Sequence, residues 1–469
     1  MLDKDNRDGN PVVKKRDVLE LHIDDLAFGG MGVAKYQGKI VFVDGGLPGD
    51  TARVFIKKIK DNYCEGQADE IIKPSPFRIN PVCKHFDICG GCKWQNYEYN
   101  MQLKYKAEQL KQNLIHIGKI DNPPVEPIIA ARKTYFYRNK MEYSFYYDQS
   151  GELVLGLHYA GFFDRVFNIE KCHLQSERSN DIVNYIRNEC QRLKLPAYHM
   201  RDHKGLLRFL VIRESKFTDE ILINLVTGDQ YNGYEAGLLE LGRNIARMFN
   251  QVTSMMWTIN SRKANIAKTD MLPPMLKDGV ILGRDHIFEK LDPYRFRISA
   301  DSFFQTNSYQ AQLLYDTIID YADFKKSDIV CDLYCGTGTI AIYISGLVKK
   351  VIGIESVGAS VEDAKNNARI NGVNNVEFIA GKVENIVSEM GTFDKLIIDP
   401  PRAGIHPKAL DGIIAMRPNV IVYVSCNPST LARDIEILCR DGYRLERAVS
   451  VDMFPQTYHI ESVAKLICH

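Results

Sequence analysis

From Ser327 onward, short apolar runs alternate with helix-like stretches, and this alternation constrains the fold more than any other feature of the chain. The runs are Ile329-Val330-Cys331, Val351-Ile352-Gly353-Ile354, Val376 to Ile379, Leu396-Ile397-Ile398 and Val420 to Val424. Apolar strands joined by helices form a parallel sheet with both faces covered, so the expected fold class is α/β, a doubly wound, Rossmann-like sheet. Such sheets bind ligands at the carboxyl ends of their strands, so the residues following each run are the first candidates for chemistry.

The first run feeds Asp332-Leu333-Tyr334-Cys335-Gly336-Thr337-Gly338-Thr339. Glycines there let a backbone turn approach a ligand closely, and Glu355, 19 residues after Gly336, can bond ribose hydroxyls. The glycine pair alone would serve NAD equally well, or be a plain tight turn. Asp399-Pro400-Pro401-Arg402 after the fourth run is the turn typical of methyltransferases that use S-adenosyl-L-methionine; its bland reading is a proline-stiffened loop.

After the fifth run stands Ser425-Cys426-Asn427-Pro428, with Asn427 suited to cap a helix that has Pro428 at its first position. A cysteine at a helix start is favoured as thiolate. Glu461 opens a later strand-like run and supplies a carboxylate base. Taken alone, each has an ordinary reading, as inert core thiol and surface acid. Together with a cofactor fold they point to chemistry on an unreactive carbon.

At 469 residues the chain is expected to form about three domains. Residues 1–10 read as disordered. Alternating runs broken by glycines between Val18 and Ile72 read as a small antiparallel β-barrel. A cysteine-rich segment follows, then a charged helix over Tyr97 to His116, and residues 126–300 read as α+β with strands at Leu206 to Arg213 and Ile221 to Leu225. The expected division is 10–72 for the barrel, 73–93 with 126–300 for a central domain, and 94–125 with 301–469 for the catalytic domain.

The formal net charge is +1, so a nucleic-acid surface must come from local clusters. The clearest is Arg132-Lys133-Thr134-Tyr135-Phe136-Tyr137-Arg138-Asn139-Lys140, whose cations suit phosphates and whose aromatics suit splayed bases. The same alternation fits a half-buried strand. The N-terminus lacks a signal-peptide core and no run is long enough to span a bilayer, so a cytoplasmic protein without a membrane partner is expected. For eleven cysteines in that setting, metal binding or catalysis outweighs a disulfide framework. Cys83, Cys89 and Cys92 lie within ten residues, Cys172 is a distant fourth, and four thiolates hold either zinc or a four-iron cluster. Cys64, Cys190, Cys331, Cys439 and Cys468 read as structural, and Cys335 as packing.

These segments, with His459-Ile460-Glu461, resemble the RNA uracil-5-methyltransferase family. Ser302-Phe303-Phe304-Gln305-Thr306-Asn307 resembles the entrance to that family's catalytic domain, and Gly30-Met31-Gly32-Val33-Ala34 through Leu47-Pro48-Gly49-Asp50 resembles a TRAM domain, an RNA-binding barrel. The resemblance implies a class I methyltransferase domain with an N-terminal TRAM/OB-like barrel and a central α+β domain carrying a cysteine cluster. It implies Cys426 as nucleophile toward uracil C6, Glu461 as general base, and Asp399 as orienting the base or cofactor. Gln305, Asp332, Tyr334, Gly336, Gly338, Glu355 and Asp399 would hold S-adenosyl-L-methionine. It selects a [4Fe-4S] cluster over zinc at Cys83, Cys89, Cys92 and Cys172. Arg132, Lys133, Arg138, Lys140 and Phe303 would meet RNA.

A barrel with a cysteine cluster is similar to the branch that acts on 23S ribosomal RNA, and the tRNA branch is expected to lack both. One departure is Lys382 after Gly381, where the family often has an acid, with Glu384 close by. The competing readings are a tRNA uracil-5 enzyme, an RNA cytosine-5 methyltransferase, which commonly carries Pro-Cys where this chain has Pro401-Arg402, and a non-catalytic RNA-binding assembly factor. An NAD-dependent oxidoreductase accounts for neither Cys426 nor the barrel. A monomer with no obligate protein partner is expected.

Overall fold

The computed structural model describes residues 13–469, so the expectation of disorder over residues 1–10 lies outside the described residues. The chain divides into two compact units: residues 13–82, 91–109 and 456–459 in one, and 83–90, 110–455 and 460–469 in the other.

In the first unit six strands form one sheet, in the order Val18–His22, Thr51–Ile59, Tyr63–Lys73, Lys39–Asp44, Gly32–Tyr36, Asp25–Leu26. All neighbours are antiparallel except Lys39–Asp44 with Tyr63–Lys73, which run parallel. Alternate residues (Leu21, Ala34, Val41, Val43, Val54, Ile56) point into one core, as a half-buried strand requires. Gly32 has a packing reason: a Cβ there would lie 2.7 Å from Ile23 Cγ2. Buried Asp50 accepts from the amides of Leu47 (2.7 Å) and Ser75 (2.8 Å) and pairs with Arg78, which fixes the Leu47-to-Asp50 turn. The expected helix begins at Tyr99 instead of Tyr97, because Tyr97 is spent in a buried aromatic cluster with Leu26, Leu47 and Trp94.

The second unit holds two seven-stranded sheets. The first takes the order Val280–Gly283, Val252–Ile259, Ile221–Thr227, Leu207–Glu214, Lys140–Tyr147, Leu153–His158, Val166–Asn168. Tyr143 and Phe145 are buried in it, so part of the aromatic run is core.

The other sheet carries the expected α/β alternation. Its order is Val376–Ala380, Lys350–Glu355, Ile329–Leu333, Lys395–Ile398, Val420–Ser425, Glu461–Cys468, Tyr443–Val451. The first five strands are parallel, and Glu461–Cys468 is antiparallel to Val420–Ser425. The strand order reverses direction at Ile329–Leu333, so the crevice between its end and that of Lys395–Ile398 is the topological switch point. Apolar cores line both faces, with Leu314, Ile340 and Val361 on one side and Leu410, Leu431 and Ile435 on the other.

Candidate active site

At the switch point the chain leaves Leu333 through Tyr334 (φ 64°), Gly336 (φ 55°) and Gly338 (φ 74°), a run of left-handed conformations. Gly338 is required twice over: its φ is positive, and a Cβ would fall 2.5 Å from the Phe378 ring. Glu355 closes the turn, accepting from the amides of Gly336 (3.2 Å) and Val357 (2.7 Å). Beneath it, Asp332 is fully buried and neither carboxylate oxygen has a hydrogen-bond partner. Burial, then the charges of Asp399 and Glu355, drive its carboxyl well above the usual range. An orphaned acid under a glycine turn fits a cationic, hydrogen-bonding ligand such as S-adenosyl-L-methionine. Tyr334 sits close enough to Glu384 to feel its charge, while Lys382 precedes the short helix Val383–Ile386 without a side-chain capping bond.

Cys426 follows the strand Val420–Ser425, and Glu461 opens its antiparallel neighbour. Because Ser425 pairs with Ser462, Cys426 and Glu461 emerge together at the same sheet edge. Asn427 caps the helix Pro428–Arg440, accepting from Ser429 N at 3.1 Å, with Pro428 in the first turn. The thiolate expected from that helix start is not favoured. Burial and the Glu461 charge push the Cys426 thiol up to about 11, although Arg402 acts against them through its charge and a hydrogen bond. Withdrawal from water therefore outweighs the helix terminus. Burial and the neighbouring Asp399 charge likewise raise Glu461 well above the carboxylate range, opposed by Arg402. Asp399, half-buried at the end of its strand, is pushed up to about 7 by desolvation. Two acids with elevated proton affinity, Glu461 and Asp399, and one arginine thus surround the half-buried thiol.

Sequence reasoning gives Arg402 no role and passes over the device that holds it. Asn427 Nδ2 and Thr430 Oγ1 donate to the Arg402 carbonyl at 3.1 and 3.4 Å. Asp434, fully buried in the following helix, accepts from Ile405 N (2.9 Å) and Tyr423 OH (2.6 Å). Arg433 pairs with Asp434 at 2.7 Å and donates to Ala403 O at 3.0 Å. Gly404 (φ 81°) admits this approach, since a Cβ would lie 2.5 Å from Arg433 Nη2. The proline loop is therefore bolted to the helix that starts beside Cys426. An aspartate within a helix, reading as a solvated face, gives no signal of this.

Gln305 is buried and its carbonyl accepts from Asn139 Nδ2 at 2.8 Å. Phe303, 62 % exposed, accepts at its carbonyl from Thr337 Oγ1 in the glycine turn, so both residues border the switch point. Of the four candidate RNA-binding cations, Arg132 and Lys133 are the outward-facing pair, Lys133 lying 4.3 Å from the centre of the Tyr309 ring. Arg138 and Lys140 are engaged internally, with Lys140 O and Glu142 respectively.

In the second unit Cys172 and Cys83 are buried and within electrostatic reach of one another, and Cys172 and Cys89 both act on Tyr143. Cys92 belongs to the first unit. Among the described residues, no three His, Cys, Asp or Glu side chains are gathered closely enough to hold a metal ion. Thiols are donors of the right kind for iron–sulfur ligation.

A family model described as tRNA (uracil-5-)-methyltransferase matches residues 260–468, and the TRAM domain model matches residues 12–68. An uncharacterized RNA methyltransferase of Caldanaerobacter subterraneus subsp. tengcongensis is 39% identical over 453 residues, covering 96% of this chain and 99% of that protein. The chain belongs to the RNA uracil-5-methyltransferase family. A second relative, an uncharacterized RNA methyltransferase of Bacteroides thetaiotaomicron, is 39% identical over 462 residues, 94% of this chain and 99% of that protein. Among solved structures, the Pyrococcus abyssi tRNA (uracil-54, C5)-methyltransferase in complex with S-adenosyl-L-homocysteine matches with a TM-score of 0.75 and 29% identity, covering 96% of this chain and 100% of that one. A match of that extent takes in the barrel, so the barrel does not separate ribosomal from tRNA enzymes within the family as expected. No helix among the described residues is long and apolar enough to cross a membrane.

Proposed function

We propose that this family member methylates uracil C5 in 23S ribosomal RNA, forming 5-methyluridine through a covalent adduct on Cys426. The observation that carries the chemistry is the placement of Cys426, Arg402 and Glu461 together beside Asp399; the choice of 23S ribosomal RNA rests on the cysteine set Cys83, Cys89, Cys92 and Cys172. Bound S-adenosyl-L-methionine would supply an electrophilic methyl group on a sulfonium. Asp332, Tyr334, Gly336, Gly338, Glu355, Gln305 and Asp399 would hold it.

Uracil C5 is a poor nucleophile until a thiolate adds to C6 and makes the ring an enolate. Arg402 stabilises the Cys426 thiolate against its burial. Once C5 carries the methyl, its proton must leave before the thiolate is expelled, and Glu461 in its carboxylate form, with raised proton affinity, takes it. The base must be unstacked to reach Cys426; Phe303, Arg132 and Lys133 face outward to meet it and its phosphates, with Arg138 and Lys140 in support.

Cys83, Cys89, Cys92 and Cys172 would ligate a [4Fe-4S] cluster with a folding role, since methyl transfer needs no electron. Iron and sulfide analysis of anaerobically purified protein tests this, with zinc as the contrary result. We read residues 10–72 as the RNA-binding barrel, 73–93 with 126–300 as the substrate-shaping domain, and 94–125 with 301–469 as the catalytic domain, in a cytoplasmic monomer.

Nucleoside mass spectrometry of 23S ribosomal RNA and tRNA from cells lacking the gene tests the substrate. Loss of 5-methyluridine from one or two 23S sites supports the proposal. The likeness to an archaeal tRNA enzyme favours the second reading, for which loss would be confined to tRNA.

A further inference from the structure

A cavity of about 780 Å³ opens on the central sheet of the second unit, lined by Tyr146, Gln149, Tyr159, Phe162, Arg165 and Arg201 among others, and shares no residue with the methyl-transfer site. One wall is the hairpin tip between the strands Leu153–His158 and Val166–Asn168. That tip exposes Tyr159 (37 %), Phe162 (45 %) and Phe163 (77 %) close together, and clustered exposed rings mark a binding surface.

The tip is held in place. Tyr159 N donates to Arg165 O at 3.1 Å, and Phe162 N to Tyr159 O at 3.0 Å. Ala160 N donates to Ile88 O at 2.8 Å, and Cys89 bridges Tyr159, which ties the hairpin to the cysteine segment. The Arg165 guanidinium lies 4.4 Å from the centre of the Phe162 ring. Arg201, 78 % exposed at its side chain, pairs with Asp164 at 3.2 Å, and Asp148 is spent on the amides of Ser150 and Glu152. Rings on a fixed hairpin tip, a guanidinium stacked on one of them and an amide side chain in the lining match a nucleobase with its phosphate. A protein partner would call for a larger patch.

We propose that this pocket and the hairpin tip beside it form a second RNA-binding site, in which Tyr159 and Phe162 in the pocket and Phe163 on the tip stack one or two unpaired bases while Arg165 and Arg201 meet the adjoining phosphates. It rests on the family's RNA substrate and not on the chemistry assigned to Cys426. It places substrate recognition on the hairpin adjoining the cysteine segment, in addition to the basic run at 132–140.

The test uses the full chain and a 12-residue single-stranded oligouridine carrying one 4-thiouridine, photocross-linked and mapped by mass spectrometry. Cross-links on the peptide spanning residues 159–165 are expected. Phe162→Leu with Phe163→Leu should weaken oligonucleotide binding about 5- to 150-fold, the range for lost base stacking, while S-adenosyl-L-methionine binding is unchanged. Phe162→Tyr should retain affinity, which separates stacking from a folding defect. Cross-links confined to other surfaces, or unchanged affinity in the double variant, would overturn the proposal. The readouts are binding and cross-linking and not methyl transfer, so failure of the catalytic reading would show separately.

Discussion

Cys426 and Glu461 meet because the last strands of the catalytic sheet run antiparallel: Ser425 pairs with Ser462, and each reactive residue lies one position beyond that pair. A one-residue slip would turn Glu461 to the opposite face. Register therefore positions the acid beside the thiol, with burial and the Asp399 charge raising its proton affinity.

If Glu461 removes the C5 proton, Glu461→Gln should lower kcat by about 10²–10⁴ while the methylated adduct accumulates. Rapid-quench kinetics with radiolabelled methyl donor distinguishes this from a loss of binding. Equal loss of adduct and product would place Glu461 before methyl transfer.

The Cys426 thiol, held up at about 11, is almost entirely protonated at neutral pH. Iodoacetamide labelling of the ligand-free protein should rise about tenfold per pH unit through pH 7–10. Arg402 lowers this thiol, so Arg402→Ala should slow labelling at pH 8; Glu461 raises it, so Glu461→Gln should speed it. Peptide mass spectrometry reads Cys426 separately from the other cysteines.

Asp332, Asp399 and Glu461 all titrate higher in the folded state than in the unfolded chain. Each binds its proton more tightly when folded. Their contribution is therefore fully present below the unfolded value near 4 and is lost as pH rises, for Asp399 through about 7. Asp399→Asn should raise the ligand-free Tm at pH 8 and leave it unchanged at pH 4. Asp332→Asn should do likewise and weaken S-adenosyl-L-methionine binding. Thermal denaturation with and without the ligand checks both.

The clamp on the proline loop predicts a graded response. Tyr423→Phe removes a 2.6 Å hydrogen bond to a buried carboxylate and should cost about 1.5–3 kcal/mol. Asp434→Ala leaves Arg433 and Ile405 N without their partner and should cost about 3–5 kcal/mol. Urea denaturation measures both, and kcat should fall as Arg402 loses its register with Cys426.

The apolar alternation places all five parallel strands, and their ends deliver Asp332, Glu355, Asp399 and Cys426 to one edge. Asn427 and Pro428 are legible as a helix start because capping is local. What the sequence hides is long-range. The proximity of Glu461 depends on an antiparallel pairing, and Asp434 acts through Tyr423, eleven residues away on a different element. The Cys426 thiol is misread from sequence because its helix start is visible there and its burial is not. Period-two alternation cannot tell buried Tyr143 from outward-facing Arg132 and Lys133, because strand and loop share that spacing.

The central claim is a covalent bond between Cys426 and uracil C6. RNA carrying 5-fluorouridine has no C5 proton to give up, so an adduct that receives a methyl group cannot be released. Incubated with such RNA and S-adenosyl-L-methionine, the protein should form a denaturation-resistant complex whose RNA-linked peptide contains Cys426, and Cys426→Ala protein should form none. A stable complex in the Cys426→Ala variant, or linkage through another residue, would contradict the account.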